Sequence, residues 1–369
     1  MRDIQPTFQT KLVVSLEALA HNIKIYRSYL NKDVKVMAMV KAQGYGAGDA
    51  DVSLFMEKEN LVDYLAVAYS DEGVELRRSG VKMPIMVMNP HSDDVPALIE
   101  YNLEPTLYNL EFGRALDQAD GKEQKPAVHL KIDSGMHRLG FHKSDLTEVL
   151  AWIKGSSIKV KAMYTHLAAT PESEHDAFTL EQIDYFDQCY EVVCNGLDYT
   201  PMRHVLNSAG ALRFPKYQYD MVRVGMGIYG LDPAEQISAE LTPVSTFVTT
   251  ISQINELNLG DTVGYSRAGI ITHANQKIAV IPVGYADGYS RLFSNGNANV
   301  FINGKRCPTI GNVCMDMSFV DVTGVDCAPG DQVELFGPNI SIEELAEKAQ
   351  TITYEILTSI ASRVNRIYE

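Results

Sequence analysis

Short apolar runs separated by amphipathic stretches repeat along the first two-thirds of the chain. Runs of strand character lie near 35–41 (KVMAMVK), 63–68 (DYLAVA), 84–88 (PIMVM), 103–107 (LEPTL) and 126–133 (PAVHLKID). Three more lie near 159–166 (KVKAMYTH), 203–207 (RHVLN) and 220–224 (DMVRV). Most are bounded by turn residues, as expected of strands covered on both faces. Between them apolar residues recur at helical spacing; in 15–30, Leu16, Leu19, Ile23 and Leu30 share one face. Eight strands alternating with helices over roughly 220 residues predict an α/β fold, a (β/α)₈ TIM-like barrel. A doubly wound open sheet is the alternative that strand counting leaves open.

The pattern changes near Leu241-Thr242-Pro243. Beyond it, Val244-Ser245-Thr246-Phe247-Val248 is β-rich, and Asn303-Gly304 stands between Val300-Phe301-Ile302 and Lys305-Arg306-Cys307, a hairpin signal. Gly260-Asp261, Asn295-Gly296 and Gly330-Asp331 mark further turns. Ser341 with Glu344 three residues on reads as a capping box opening one late helix. The expected division is a barrel over 12–240 and a mostly β C-terminal domain over 241–369, with residues 1–11 free to pack against the latter.

Composition narrows the function. The 369 residues carry a net charge of −15, and such acidity repels phosphate backbones and anionic lipid. Nucleic acid and membrane are therefore not expected as partners. Five cysteines (Cys189, Cys194, Cys307, Cys314, Cys327) without C-x-x-C spacing argue against a zinc site or a disulfide framework. No metal is expected. The opening Met1-Arg2-Asp3-Ile4-Gln5-Pro6 lacks an apolar stretch and no run is long enough to span a bilayer, so the expected location is the cytoplasm.

The chemistry starts at Val36-Met37-Ala38-Met39-Val40-Lys41-Ala42-Gln43-Gly44-Tyr45-Gly46-Ala47-Gly48-Asp49. A lysine ends a buried-looking strand and enters a glycine-rich turn. Desolvation lowers a lysine's pKa toward what an imine-forming amine needs, whereas a lysine snorkelling to the barrel rim would be inert. Gly44-x-Gly46-x-Gly48 lacks the dinucleotide-binding spacing, and no G-K-[ST] marks a P-loop. His166, Asn207-Ser208 and Arg223-Val224-Gly225-Met226 end predicted strands six, seven and eight, at the mouth where a barrel keeps its active site. The ends of strands seven and eight are also the usual barrel phosphate site. There the Ser208 hydroxyl with the Gly225 and Met226 amides can receive a phosphate without a basic residue.

The Lys41 segment resembles the cofactor-lysine motif of the alanine racemase family, Lys-Ala-x-x-Tyr-Gly-x-Gly. Gln43-Gly44 and Ala47 depart from its usual form at positions without a chemical role. Lys131-Ile132-Asp133-Ser134-Gly135-Met136-His137-Arg138-Leu139-Gly140-Phe141 is similar to a second family motif. Val263-Gly264-Tyr265-Ser266-Arg267, Ile281-Pro282-Val283-Gly284-Tyr285-Ala286-Asp287-Gly288, Asn312-Val313-Cys314-Met315-Asp316 and Tyr354-Glu355 match others. Near the end, Thr358 stands where relatives often have cysteine. The resemblance runs from about Lys11 to Arg366.

The resemblance implies a pyridoxal-phosphate-dependent racemase (EC 5.1.1.1) interconverting L- and D-alanine by two-base proton transfer on a cofactor aldimine. It also implies a role in supplying D-alanine for peptidoglycan. Lys41 takes the aldimine position. Tyr45, Asn207, Ser208, Gly225, Met226 and Tyr354 serve the phosphate end, His166 lies beside the pyridine ring and Arg223 faces its nitrogen. An arginine there stays protonated and cannot lend the ring a proton, so the ring is a weaker electron sink. Arg138 and the Met315 amide hold the substrate carboxylate, and Lys131 is a position often carboxylated in relatives. Tyr265 is implied as the second base, activated by a hydrogen bond to His166 and supplied to the neighbouring subunit's site, which requires a homodimer. Tyr285 and Tyr354 narrow the entrance. A serine, lysine or broad-specificity racemase on the same scaffold, a basic amino acid decarboxylase and a pyridoxal-phosphate carrier protein are the alternatives; Arg223 argues against the decarboxylase.

Overall fold

The structure is a computed structural model that describes residues 9–120 and 125–369. Residues 1–8, expected with 9–11 beside the C-terminal domain, lie outside the described residues. The chain divides into two compact units. Among the described residues, one comprises 18–44 and 49–242; the other gathers 9–17, 45–48 and 243–369.

The first unit is a parallel eight-stranded barrel. Its strands are β1 (Lys35–Met39), β2 (Tyr64–Val67), β3 (Ile85–Val87), β4 (Glu104–Leu107), β5 (Val128–Lys131), β6 (Val160–Tyr164), β7 (Met202–His204) and β8 (Met221–Val224). Each pairs with the next from β1 to β7, and β8 pairs with β1. Between β7 and β8 the gap is bridged by Asp220 N donating to Arg203 O (3.2 Å) and Arg223 N to Leu206 O (3.0 Å). The near closure overturns the open-sheet alternative. All four residues of β2, β5 and β8 are buried, which is why these runs show no polar alternation. Helices cover the outside; the one over Leu16–Ser28, before β1, buries Leu19 and Ile23 of the expected face together with Tyr26, while Leu16 is half-buried and Leu30 lies beyond the helix end.

The second unit is mostly β. A six-stranded sheet runs in the order Lys305–Pro308, Asn299–Ile302, Gln332–Phe336, Ser245–Thr250, Lys11–Val14, Asn365–Tyr368. A three-stranded sheet, Gln253–Leu257, Gln276–Ile281 and Ser318–Asp321, lies in the same unit. The expected boundary at residue 12 needs correction. Lys11–Val14 pairs antiparallel with Ser245–Thr250 and parallel with Asn365–Tyr368, so its alternating burial belongs to this sheet. The expected late helix is Ile342–Lys348, where Ser341 Oγ accepts from Glu344 N (3.2 Å); a second helix, Thr353–Thr358, was not anticipated. Residues 45–48 join this unit for a steric reason. Gly46 has φ +83°, and a Cβ there would lie 2.2 Å from the Leu357 carbonyl oxygen. Among the described residues no helix is long and apolar enough to cross a membrane.

Candidate active site

Immediately after β1 the chain makes a left-handed turn. Ala42, Gln43 and Tyr45 have φ of 53°, 55° and 53°, with Gly44 at 60° between them. Such residues cost roughly 1–2 kcal/mol each, so the surroundings must hold the turn. Gly44 N donates to Val40 O (2.9 Å), and the Glu72 carboxylate accepts from Ala42 N (2.6 Å), Ala68 N (2.7 Å) and Tyr69 N (3.1 Å). Sequence reading missed Glu72; its only signal was an acid in the first turn of the helix after β2. The turn presents Lys41, whose amine burial and the Arg138 cation hold below the ordinary lysine value.

The Lys131–Phe141 motif folds back on itself. Phe141 N donates to Lys131 O (2.9 Å) and Asp133 N to Phe141 O (3.0 Å). Inside the loop the buried Asp133 carboxylate accepts from Gly135 N and His137 N, both at 3.0 Å. Burial works against its charge, but these amides outweigh it and lower its pKa. Arg138 is exposed near the tip of the loop. At its root Lys131 is only 6% exposed, with Nζ 4.5 Å from the centre of the Tyr164 ring. Burial and the Arg223 and Arg138 cations push its pKa well below the lysine range, toward a neutral, nucleophilic amine.

Arg223 is buried inside the barrel. Nη1 donates to His204 Nδ1 (2.9 Å) and His204 O (2.8 Å), while Nη2 donates to Thr165 O (2.8 Å) and Val205 O (3.1 Å) and lies 3.4 Å from His166 Nδ1. Burial lowers its pKa to about 10, which still leaves it charged at neutral pH. Burial and that cation push His166 well below its ordinary value, so its ring is neutral. Behind Arg223 runs a polar line that sequence reading missed. His204 Nε2 lies 3.1 Å from His129 Nδ1, and His129 Nε2 lies 3.0 Å from Glu104 Oε2. Histidines in the strand runs 126–133 and 203–207 were the available signal.

At the ends of β7 and β8, Asn207 caps the helix Ser208–Arg213, its Oδ1 accepting from Gly210 N (2.9 Å). Ser208 Oγ accepts from Gly225 N (2.9 Å), which brings two of the groups expected at the phosphate end together. Met226, next in the chain, is buried.

One cavity of about 290 Å³ at this mouth brings together Lys41, Lys131, Tyr164, Arg138 and His166. In the second unit a cavity of about 720 Å³ is lined by Tyr265, Tyr285 and Met315. Tyr265 is 70% exposed and precedes Ser266 and Arg267, which have φ of 59° and 53°. The Tyr45 and Tyr354 rings pair in this same unit, with centroids 6.1 Å apart, and burial raises both pKa values.

Residues 14–233 match the sequence profile of the alanine racemase N-terminal domain and residues 244–368 that of the C-terminal domain. The chain belongs to the alanine racemase family. Alanine racemase 1 of Caldanaerobacter subterraneus subsp. tengcongensis is 34% identical over 370 residues, covering 97% of this chain and 94% of the relative. Alanine racemase of Methanococcus maripaludis is 35% identical over 367 residues, covering 96% and 97%. Among solved structures, alanine racemase of Clostridium difficile superposes with a TM-score of 0.93 at 31% identity, covering 99% of this chain and 97% of that one. Alanine racemase from Bacillus anthracis with bound L-Ala-P gives 0.91 at 30% identity, covering 99% and 96%.

Proposed function

We propose that this chain racemises alanine with pyridoxal phosphate, and that the observation carrying the reading is the placement of Lys41, Arg138 and His166 in one cavity at the barrel mouth. The residues fit the cofactor on structural grounds. Lys41 is an amine of lowered pKa in that cavity. With Gly225 N donating to its oxygen, Ser208 keeps its own proton free for a phosphate, which the Met226 amide, Asn207, Tyr45 and Tyr354 would help to hold. Bound at Lys41, the cofactor supplies the electron sink that makes the α-proton of an amino acid removable.

The chain's own residues then divide the work. Arg138 pairs with the substrate carboxylate, which a guanidinium fork suits, and the Met315 amide donates to the same group. Lys41 moves a proton on the face of D-alanine, and the phenol of Tyr265 does so on the face of L-alanine. A phenol, with a reference pKa of about 10, is a weak base unless its surroundings favour the phenolate. With Nδ1 facing the Arg223 guanidinium, a neutral His166 would carry its proton on Nε2 and donate it to the phenol oxygen, favouring the base form. Arg223, charged and able only to donate, would leave the ring of a bound cofactor unprotonated and so a weaker electron sink. Tyr285 and Tyr354 narrow the entrance, and a carboxylated Lys131 would turn a buried amine into an anion beside Arg138.

Two bases on opposite faces call for a homodimer in which Tyr265 of the partner subunit completes each site. Acidity and five free cysteines support a cytoplasmic location, and the D-alanine formed would serve peptidoglycan. The deciding experiment incubates cofactor-loaded protein with L-alanine in D₂O. D-alanine carrying α-deuterium is expected. Deuterated L-alanine alone would remove Tyr265 from its role, and neither product would sink the reading.

A further inference from the structure

Two loops of the second unit meet backbone to backbone. Tyr285 N donates to Cys314 O and Ala286 N to Met315 O, each at 3.0 Å. Only a glycine allows this approach, because a Cβ on Gly284 would lie 2.2 Å from the Cys314 oxygen and 2.4 Å from that of Met315. A third segment is tied in by Ala361 N, which donates to Asp287 O (3.2 Å). One side chain spans all three. Arg363 Nε donates to Asp287 Oδ1 and its Nη2 to Asp316 Oδ1, each at 2.7 Å.

The charges make this more than a surface contact. Asp287 is 6% exposed and caps its own turn by accepting from Gly284 N (2.9 Å). Among the described residues Arg363 is its only ion-pair partner, and an unpaired buried carboxylate is a costly state. Asp316 follows Met315, so holding its carboxylate fixes the peptide just past the Met315 amide. That amide has no acceptor among the described residues, while Met315 lines the 720 Å³ cavity.

We infer that Arg363 is a positioning residue for the alanine carboxylate, acting through Asp316 to hold the Met315 amide and through Asp287 to hold the turn that carries Tyr285. The inference rests on the reading of Met315 given above. It adds a clamp of two acids and one arginine, Asp287–Arg363–Asp316, to residues that had no assigned role. Arginine suits the clamp because its planar fork reaches two carboxylates at once, which a lysine ammonium does with less fixed geometry.

The test is steady-state kinetics of cofactor-loaded wild type, Asp316→Asn, Arg363→Ala and Arg363→Lys, in both directions of racemisation. A loosened donor to a charged carboxylate raises KM by about tenfold while kcat changes little. Asp316→Asn, at a half-exposed position, keeps the fold; it should raise KM with cofactor absorbance and dimer content unchanged. Arg363→Lys should recover part of the loss. The double variant Asp316→Asn/Arg363→Ala should be no worse than Arg363→Ala alone, because the two residues act as one device. An unchanged KM in Asp316→Asn, or effects on thermal stability alone, would overturn the clamp while wild-type turnover left the racemase reading standing. A wild type without turnover would fail that reading instead.

Discussion

Arg223 Nη1 donates to His204 Nδ1 across 2.9 Å, and this one bond sets the direction of every proton behind it. A guanidinium offers no lone pair, so His204 Nδ1 must accept and its proton must sit on Nε2. That proton points at His129 Nδ1, which leaves the His129 proton on Nε2, facing Glu104. Burial drives both histidines toward neutrality; Arg223 adds to this at His204, while Glu104 opposes it at His129. The barrel core thus carries a directed line of donors from an arginine at the mouth to a carboxylate that also accepts from Lys161 Nζ (2.6 Å).

Glu104 should therefore stabilise the fold in a pH-dependent way. Burial alone would raise its pKa, but the bonds from His129 and Lys161 win and lower it. A carboxylate with a depressed folded pKa contributes stability above its unfolded pKa and loses it as pH falls through the folded one. Replacing Glu104 with Gln should cost roughly 2 kcal/mol at pH 7, the scale of charge-assisted hydrogen bonds. The gap to wild type in urea unfolding should narrow toward pH 4. A gap that is constant or widens on acidification contradicts the arrangement.

The left-handed turn after Lys41 depends on Glu72. Glu72→Ala removes the acceptor for three amides at once, so cofactor affinity should fall well before the barrel unfolds. Equilibrium dialysis of the cofactor, with far-ultraviolet circular dichroism as the control for folding, reads the two effects separately. Loss of helix signal with unchanged cofactor affinity would assign Glu72 to the scaffold alone.

How much of this was legible in the sequence depends on the range of the interaction involved. The barrel strands were readable because burial on both faces leaves uninterrupted apolar runs, and the expected 35–41 and 63–68 differ from Lys35–Met39 and Tyr64–Val67 only at their ends. Lys41, His166 and Arg223 were visible as polar residues at strand ends, and Arg138 through the resemblance of the motif that carries it. Lys11–Val14 was not, because four residues say nothing about a partner more than 200 positions away. Glu104 and Arg363 escaped for the same reason: each works through contacts distant in sequence, and an isolated Glu or Arg looks like any solvated charge; Glu72 also bonds two amides beside it, but its bond to Ala42 N, which ties it to the Lys41 turn, is a distant one. The pairing of the Gly225 amide with Ser208 was equally beyond reach, since it depends on how two strand ends approach.

Lys131 gives a prediction independent of turnover. Among the described residues its amine has no acceptor other than the Tyr164 ring face, and burial with the Arg223 and Arg138 cations shifts it toward the neutral form. In its neutral form this amine can add carbon dioxide, losing one N–H proton to solvent as the N–C bond forms, and the resulting carbamate anion would then pair with the Arg138 guanidinium. Native mass spectrometry at neutral pH should show one added carboxyl group per chain, absent from Lys131→Ala and lost on acidification. Identical masses for the two proteins, apart from the substitution itself, would dismiss the modification.

Sharing of the two bases can be tested by mixing dead enzymes. Lys41→Ala and Tyr265→Phe each remove one proton-transfer group, and each should lower turnover at least 10²-fold, the usual worth of a positioned acid or base. In a two-fold dimer with crossed sites, a heterodimer of the variants holds one doubly defective site and one intact site. Random exchange puts half the chains' sites in heterodimers, so about a quarter of wild-type activity should return. If each subunit kept its own Lys41 and Tyr265 together, every site in every species would lack one base. Mixed samples with exchange demonstrated by mass would then stay inactive, and the exposed Tyr265 would need a different role.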